Sequence, residues 1–202
     1  MKEYNELFEK YVDNYSPGDE QKRKIELLDE NSSIEVVKPL INEIVLWKLN
    51  RMVEVDDELI KSLLKIRRIT DIEFFLNSND LRDELKDTMK KLMDSKGIRI
   101  AMASTILHFF NPKIFPIIDK RAYFALNNCL MPERINNKNN GPDEYLLYIE
   151  KCYKWFLLKT KNEKDLKFEN IDKVLYQHDK DSGRKLDRRD GFDSVEYDIW
   201  KF

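Results

Sequence analysis

Residues 96–126 read KGIRIAMASTILHFFNPKIFPIIDKRAYFAL. Gly97 supplies a residue that takes positive φ without steric cost, as a tight turn requires. The apolar run behind it reaches Phe110 and carries the small residues Ala101, Ala103 and Ser104, where another helix can approach closely. Asn111-Pro112 ends that helix, because proline disfavours helical backbone in the residue before it. Lys113 to Ile118 is apolar, is interrupted by Pro116, and reads as a segment crossing back. Asp119 then precedes KRAYFAL, where a carboxylate accepts the first free N–H groups of a new helix. The spacing predicts a helix-hairpin-helix outline with one acid delivered to a fixed place by two packed elements.

The same helical period extends outward. Tyr4, Leu7, Phe8, Tyr11 and Val12 predict a first helix, and Ser16-Pro17-Gly18-Asp19 breaks it. Ile25 and Leu28 carry a second helix to about Asp29, and Asn31-Ser32-Ser33 offers caps for a third. That third helix, with Val36, Val37, Leu40, Ile41, Ile44, Val45, Trp47 and Leu49, is apolar around much of its circumference and is expected to be buried. Asp56-Asp57 opens a helix ending at Arg67-Arg68, with both signs of charge matched to the helix dipole. Asp71 to Leu76 is a short helix, and Asn79-Asp80 caps a longer one that stops at Ser95-Lys96-Gly97. After the central stretch, Met131 to Pro142 is rich in asparagine, lacks apolar periodicity and is expected to be an exposed loop. Asp143 opens another helix, and Phe168 to His178 forms the last. No segment alternates cleanly as a strand does. The expectation is an all-α, compact multi-helix domain, in one body or two lobes. It spans residues 1–180, followed by a charged and aromatic tail at residues 181–202.

Composition limits the functions open to this fold. Of 202 residues, 42% are hydrophobic, enough for a core, and 37% are charged, which fits many solvated helix faces. With 36 basic against 38 acidic residues, the net charge is −2. Nothing global therefore draws the chain to nucleic acid or membrane, and any binding face is a local patch. The glycines are too sparse and too scattered for a dinucleotide fingerprint or a P-loop. Cys129, Cys152, His108 and His178 have no metal-ligand spacing, so neither a metal nor a cofactor is expected. His108, on an apolar helix, reads as a hydrogen-bonded, half-buried residue. Two cysteines form no disulfide framework, and no run reaches membrane-spanning length. The expected setting is the cytoplasm.

Gly97, Ile98, Ala103, Pro116, Ile118 and Asp119 together resemble the central motif of the helix-hairpin-helix DNA glycosylase superfamily. The resemblance covers about thirty residues. It implies an all-helical fold that binds double-stranded DNA through the hairpin and flips a nucleotide out of the duplex. It also implies that Asp119 is the catalytic carboxylate. Lys96, Gly97, Arg99, Lys120 and Arg121 flank the motif and are the expected contacts to phosphates. Trp47, Tyr123 and Tyr176 are candidates to stack a base. The chain departs from the family pattern at three places. Arg99 stands where a second glycine is usual, Ala101 where members that cleave the backbone have a lysine, and Arg121 where a histidine is common. The iron–sulfur cysteines of some members are absent. The implied activity is that of a monofunctional N-glycosylase without a lyase step. The alternative is a non-enzymatic helical module on the same scaffold, binding DNA or a protein partner, the latter through the aromatic C-terminal tail. Asp119 would then be only a helix cap, Gly97 only a turn residue, and Trp47 a core side chain.

Overall fold

The computed structural model describes residues 19–49, 56–95, 97–160 and 167–185. The first expected helix, the Lys96 side chain and most of the expected tail lie outside the described residues. Among those described there are nine α-helices and no strand. They are α1 (Asp19–Glu26), α2 (Ile34–Leu49), α3 (Asp57–Ile66), α4 (Ile72–Asn77), α5 (Asn79–Asp94), α6 (Ile100–Phe110), α7 (Lys120–Asn127), α8 (Gly141–Lys159) and α9 (Ile171–Asp181). Single 3-10 turns at Glu133–Asn136 and Phe168–Asn170 precede α8 and α9.

Local chemistry sets four of the helix starts, each with a side-chain cap. Asp56 Oδ1 accepts from the Leu59 N–H at 2.7 Å, and Asp71 Oδ1 accepts from Phe74 N–H at 2.7 Å. Each satisfies one of the N–H groups that a helix leaves without an internal partner. The cap of α5 is Ser78, whose hydroxyl accepts from Leu81 N–H; the expected Asn79 is already the first helical residue. Gly97 makes the turn after α5 with a φ of 90°, where a β-carbon would be strained.

The core is organised around α6. Ten of its eleven residues, all but Ala101, are buried, and it packs against α1, α2, α3 and α5. Such a helix must be apolar all round, and its small residues let those neighbours approach. Asn111, at its end, reaches across to α3: its amide donates to the carbonyls of Ile66 at 3.0 Å and Ile69 at 2.7 Å. These carbonyls lie at the end of α3 and just beyond it, where the helix itself supplies no donors. The asparagine that stops one helix thus caps another.

Three expectations change. The third predicted helix is not buried all round: Val37, Leu40, Ile41, Ile44 and Val45 are in the core, but Val36 is 57% exposed. Among the described residues, α2 meets the helices α1, α3 and α6. The segment Met131–Pro142 is not simply an exposed loop. Ile135 is fully buried and anchors a 3-10 turn, and α8 begins at Gly141, ahead of Asp143. One apolar residue without a periodic partner is enough to pin a short turn, and periodicity cannot reveal it. At the other end, α9 runs past His178 to Asp181, and Arg184 beyond it is buried. Arg184 thus packs against the helices, while Ser182, Gly183 and Lys185 beside it are exposed.

Candidate functional site

The segment between α6 and α7 has no helix or sheet to satisfy its peptide groups, yet it is largely buried. Side chains from three helices do the work instead. His108 Nδ1, on α6, sits 2.9 Å from the Phe115 carbonyl oxygen. Ser104, one turn earlier on the same helix, accepts from the Ile118 N–H at 3.1 Å. From α8, the Tyr145 hydroxyl donates to Pro116 O at 2.9 Å and the Tyr148 hydroxyl to Ile117 O at 3.2 Å. From α9, Asp172 Oδ2 accepts from the Ile117 N–H at 3.4 Å. Buried backbone groups must be paired somewhere, and here the pairing fixes the direction of the strap. His108 holds residue 115 and Ser104 holds residue 118, so the strap runs back antiparallel to α6. It therefore delivers Asp119 toward the end of α6 that follows Arg99.

Asp119 sits at the end of this strap, half-buried, as the N-cap of α7. Its Oδ1 accepts from Ala122 N–H at 2.8 Å. The capping reading and the site reading thus fall on the same atoms. Behind it lies a ladder of aromatic rings. Tyr123 and Tyr148 stack with centroids 6.3 Å apart, and Tyr148 and Tyr145 stack at 6.4 Å. Burial pushes the Tyr148 phenol well above its ordinary pKa, with smaller pushes from Cys152 and then from the Asp119 carboxylate. Burial likewise raises the Tyr145 phenol and the Cys152 thiol, and lowers His108. These groups are neutral near pH 7 and act as hydrogen-bonding posts. Asp172 is the exception in kind: a carboxylate that is 6% exposed, with an Oδ1 that has no hydrogen-bond partner among the described residues.

The sequence-predicted residues separate into two groups. Gly97, Arg99 and Lys120 are exposed. Neither Arg99 nor Lys120 makes an ion pair among the described residues, so their charges face solvent, Arg99 just before α6 and Lys120 at the start of α7. Arg121 is different. Its Nη1 lies 2.8 Å from Asp179 Oδ2, its side chain is 15% exposed, and its guanidinium carbon is 5.9 Å from the centre of the Tyr176 ring. The charge of Arg121 is already countered within the fold, and Tyr176 lies beside it, half-buried. Tyr123 is 9% exposed within the tyrosine ladder. The side chain of Trp47 lies outside the described residues, as does Lys96.

The residues that hold the strap, together with Asp179 and Arg184, are not among the candidates drawn from sequence. A signal for two of them exists: Asp172, Leu175 and Asp179 follow one another at steps of three and four along α9. Acids at core spacing are a pattern of buried, partnered charge. No group of three or more His, Cys, Asp or Glu side chains among the described residues is arranged to hold a metal ion, and no helix among them is long and apolar enough to cross a membrane. A groove of about 350 Å³ opens on α1 and α2, lined by Lys24, Leu27, Leu28, Val36, Pro39 and Leu40, on different elements from Asp119. No family model matches the chain, and no curated protein or solved structure is significantly similar to it.

Proposed function

We propose that the chain binds double-stranded DNA at the hairpin and strap and hydrolyses the N-glycosidic bond of a flipped nucleotide, with Asp119 as the catalytic carboxylate. The observation that carries the reading is how Asp119 is held. Five side chains from three helices fix the strap that ends in it, and the exposed cations Arg99 and Lys120 have no ion-pair partner among the described residues. The resemblance of residues 97–119 to the glycosylase motif points the same way. In the proposed reaction the bond between the base nitrogen and the sugar C1′ breaks, and positive charge develops on the sugar. A fixed carboxylate stabilises that charge and orients a water. The water oxygen bonds to C1′, one of its protons leaves with the base, and an abasic sugar remains. With Ala101 where a lyase lysine would stand, the strand stays intact.

The second reading is a binding module without chemistry. It is favoured by the ion pair that occupies Arg121 and by the near-complete burial of Tyr123, which leave fewer groups for a nucleotide. One experiment separates the two. Purified protein is incubated with duplexes carrying a panel of damaged and mismatched bases, then with hot alkali to cut abasic sites, beside Asp119→Asn. Asparagine caps a helix about as well as aspartate, so the variant keeps the fold and loses the carboxylate. Cleavage by the wild type, and none by Asp119→Asn, is the expected result. An intact panel together with a salt-dependent mobility shift would replace the enzyme by the module.

A further inference from the structure

Asp179 is buried near the end of α9, its side chain 2% exposed, and it is gripped from two directions. Arg121 Nη1 reaches its Oδ2 at 2.8 Å. Arg184 forks onto it, with Nε 2.5 Å from Oδ1 and Nη2 2.8 Å from Oδ2. The Arg184 guanidinium also lies over the Phe124 ring, 3.9 Å from its centre, and its carbonyl accepts from Arg121 Nη1 at 3.3 Å. Both Arg121 and Phe124 belong to α7, the helix that Asp119 opens. Arg121 is the second residue after that cap, so whatever fixes Arg121 fixes the rotation of the first turn about its axis. That rotation sets where the Asp119 carboxylate points. A bidentate guanidinium–carboxylate pair has a defined plane, unlike a lysine contact.

We propose that Asp179 is a positioning residue for Asp119: with Arg121 and Arg184 it forms a buried clamp that locks the first turn of α7 onto α9. The inference gains its catalytic meaning from the reading of Asp119 above, but the clamp itself is tested without it. Removing the negative charge leaves two guanidiniums facing each other in a buried place, which a pair of this kind tolerates poorly. The first turn of α7 then loosens ahead of the core.

The test is amide hydrogen exchange by NMR on the full chain, comparing wild type, Asp179→Asn and Lys120→Ala. Lys120 is an exposed neighbour outside the clamp and serves as control. The probe is the Ala122 N–H, which Asp119 accepts; amides of Ile41 and Ile44 in α2 report global opening in the same sample. The expected result is Ala122 exchange at least about tenfold faster in Asp179→Asn with the α2 amides unchanged, and no change in Lys120→Ala. Equal acceleration everywhere, or an unmoved Ala122, overturns the proposal. If Asp179→Asn does not fold, Arg121→Gln breaks the same pair from the more exposed side and is read in the same way. Base release supplies the second readout. If the wild type is active, Asp179→Asn lowers kcat at least about tenfold while KM stays within about twofold; a loss confined to KM counts against positioning. If the wild type releases no base, the glycosylase reading falls while Ala122 exchange still decides the clamp.

Discussion

At the scale of single residues, His108 is the side chain whose chemistry and packing are most tightly joined. It is 3% exposed, deeper than the half-buried place expected of it, and it holds the Phe115 carbonyl. Burial lowers its pKa below the ordinary 6.5; Asp172 and the Phe115 carbonyl oppose that shift, and Lys22 and Lys173 add to it. A histidine with a depressed pKa binds fewer protons folded than unfolded. Its contribution to stability is therefore complete above about pH 6.5 and is lost as the pH falls through the folded-state value. Thermal unfolding followed from pH 8 to pH 5 should show a Tm that is flat at the upper end and declines below about pH 6.5. His108→Gln keeps a donor for Phe115 but cannot titrate, so its decline over the same range should be shallower. Identical slopes for the two proteins would mean that His108 does not protonate on unfolding. The same residue shows why burial is hard to read from a sequence: a lone histidine among Ile106, Leu107, Phe109 and Phe110 looks like the polar edge of a helix. Only the strap that folds over it, seven residues on, makes it interior.

At the scale of elements, the joints between helices carry the specificity. Gly141 opens α8 where the chain passes over the 3-10 turn. A β-carbon there would lie 2.7 Å from the Ile135 carbonyl oxygen and 2.8 Å from the Met93 side chain. Methionine can move, but the carbonyl belongs to the turn that Ile135 anchors. Gly141→Ala should therefore destabilise the fold by about 1–3 kcal/mol, read as a lower urea midpoint with an unchanged slope; a neutral result would mean the 3-10 turn is free to shift. Helix starts were legible where a single side chain decides them, as at Asp56, Asp71 and Asp119, because capping is local. The 3-10 turn at Ile135 and the burial of Arg184 were not, because each rests on contacts made only in the folded chain and leaves no period. The candidate site divides in the same way. Asp119 stands out between a proline-marked strap and a helix. The side chains that hold the strap lie between 7 and 55 residues from the atoms they bind, and apart from the core spacing of Asp172 nothing local marks what they hold. Arg121 illustrates the limit from the other side. In sequence it is one more cation beside Lys120, and only the return of α9 shows that its charge is taken.

At the scale of the whole molecule, net charge and local charge point in different directions. The chain carries a net charge of −2, so DNA would be repelled weakly at long range and must be held by a few cations at close range. Each phosphate contact releases condensed counterions and adds to the salt dependence of binding. Arg99 and Lys120, exposed and outside any ion pair among the described residues, should each contribute; Arg121, held by Asp179, should not. In fluorescence anisotropy with a labelled duplex at 50–200 mM salt, the slope of log K against log salt should become shallower by about 1 for Arg99→Ala and by about 1 for Lys120→Ala. The double variant should lose about 2 if, as proposed, each cation neutralises its own phosphate. Arg121→Ala should instead leave the slope in place and lower Tm, since it breaks a buried pair rather than a contact to DNA. The reverse pattern, with slope lost in Arg121→Ala and retained in the other two, would mean that the clamp opens on binding and that Arg99 and Lys120 are bystanders.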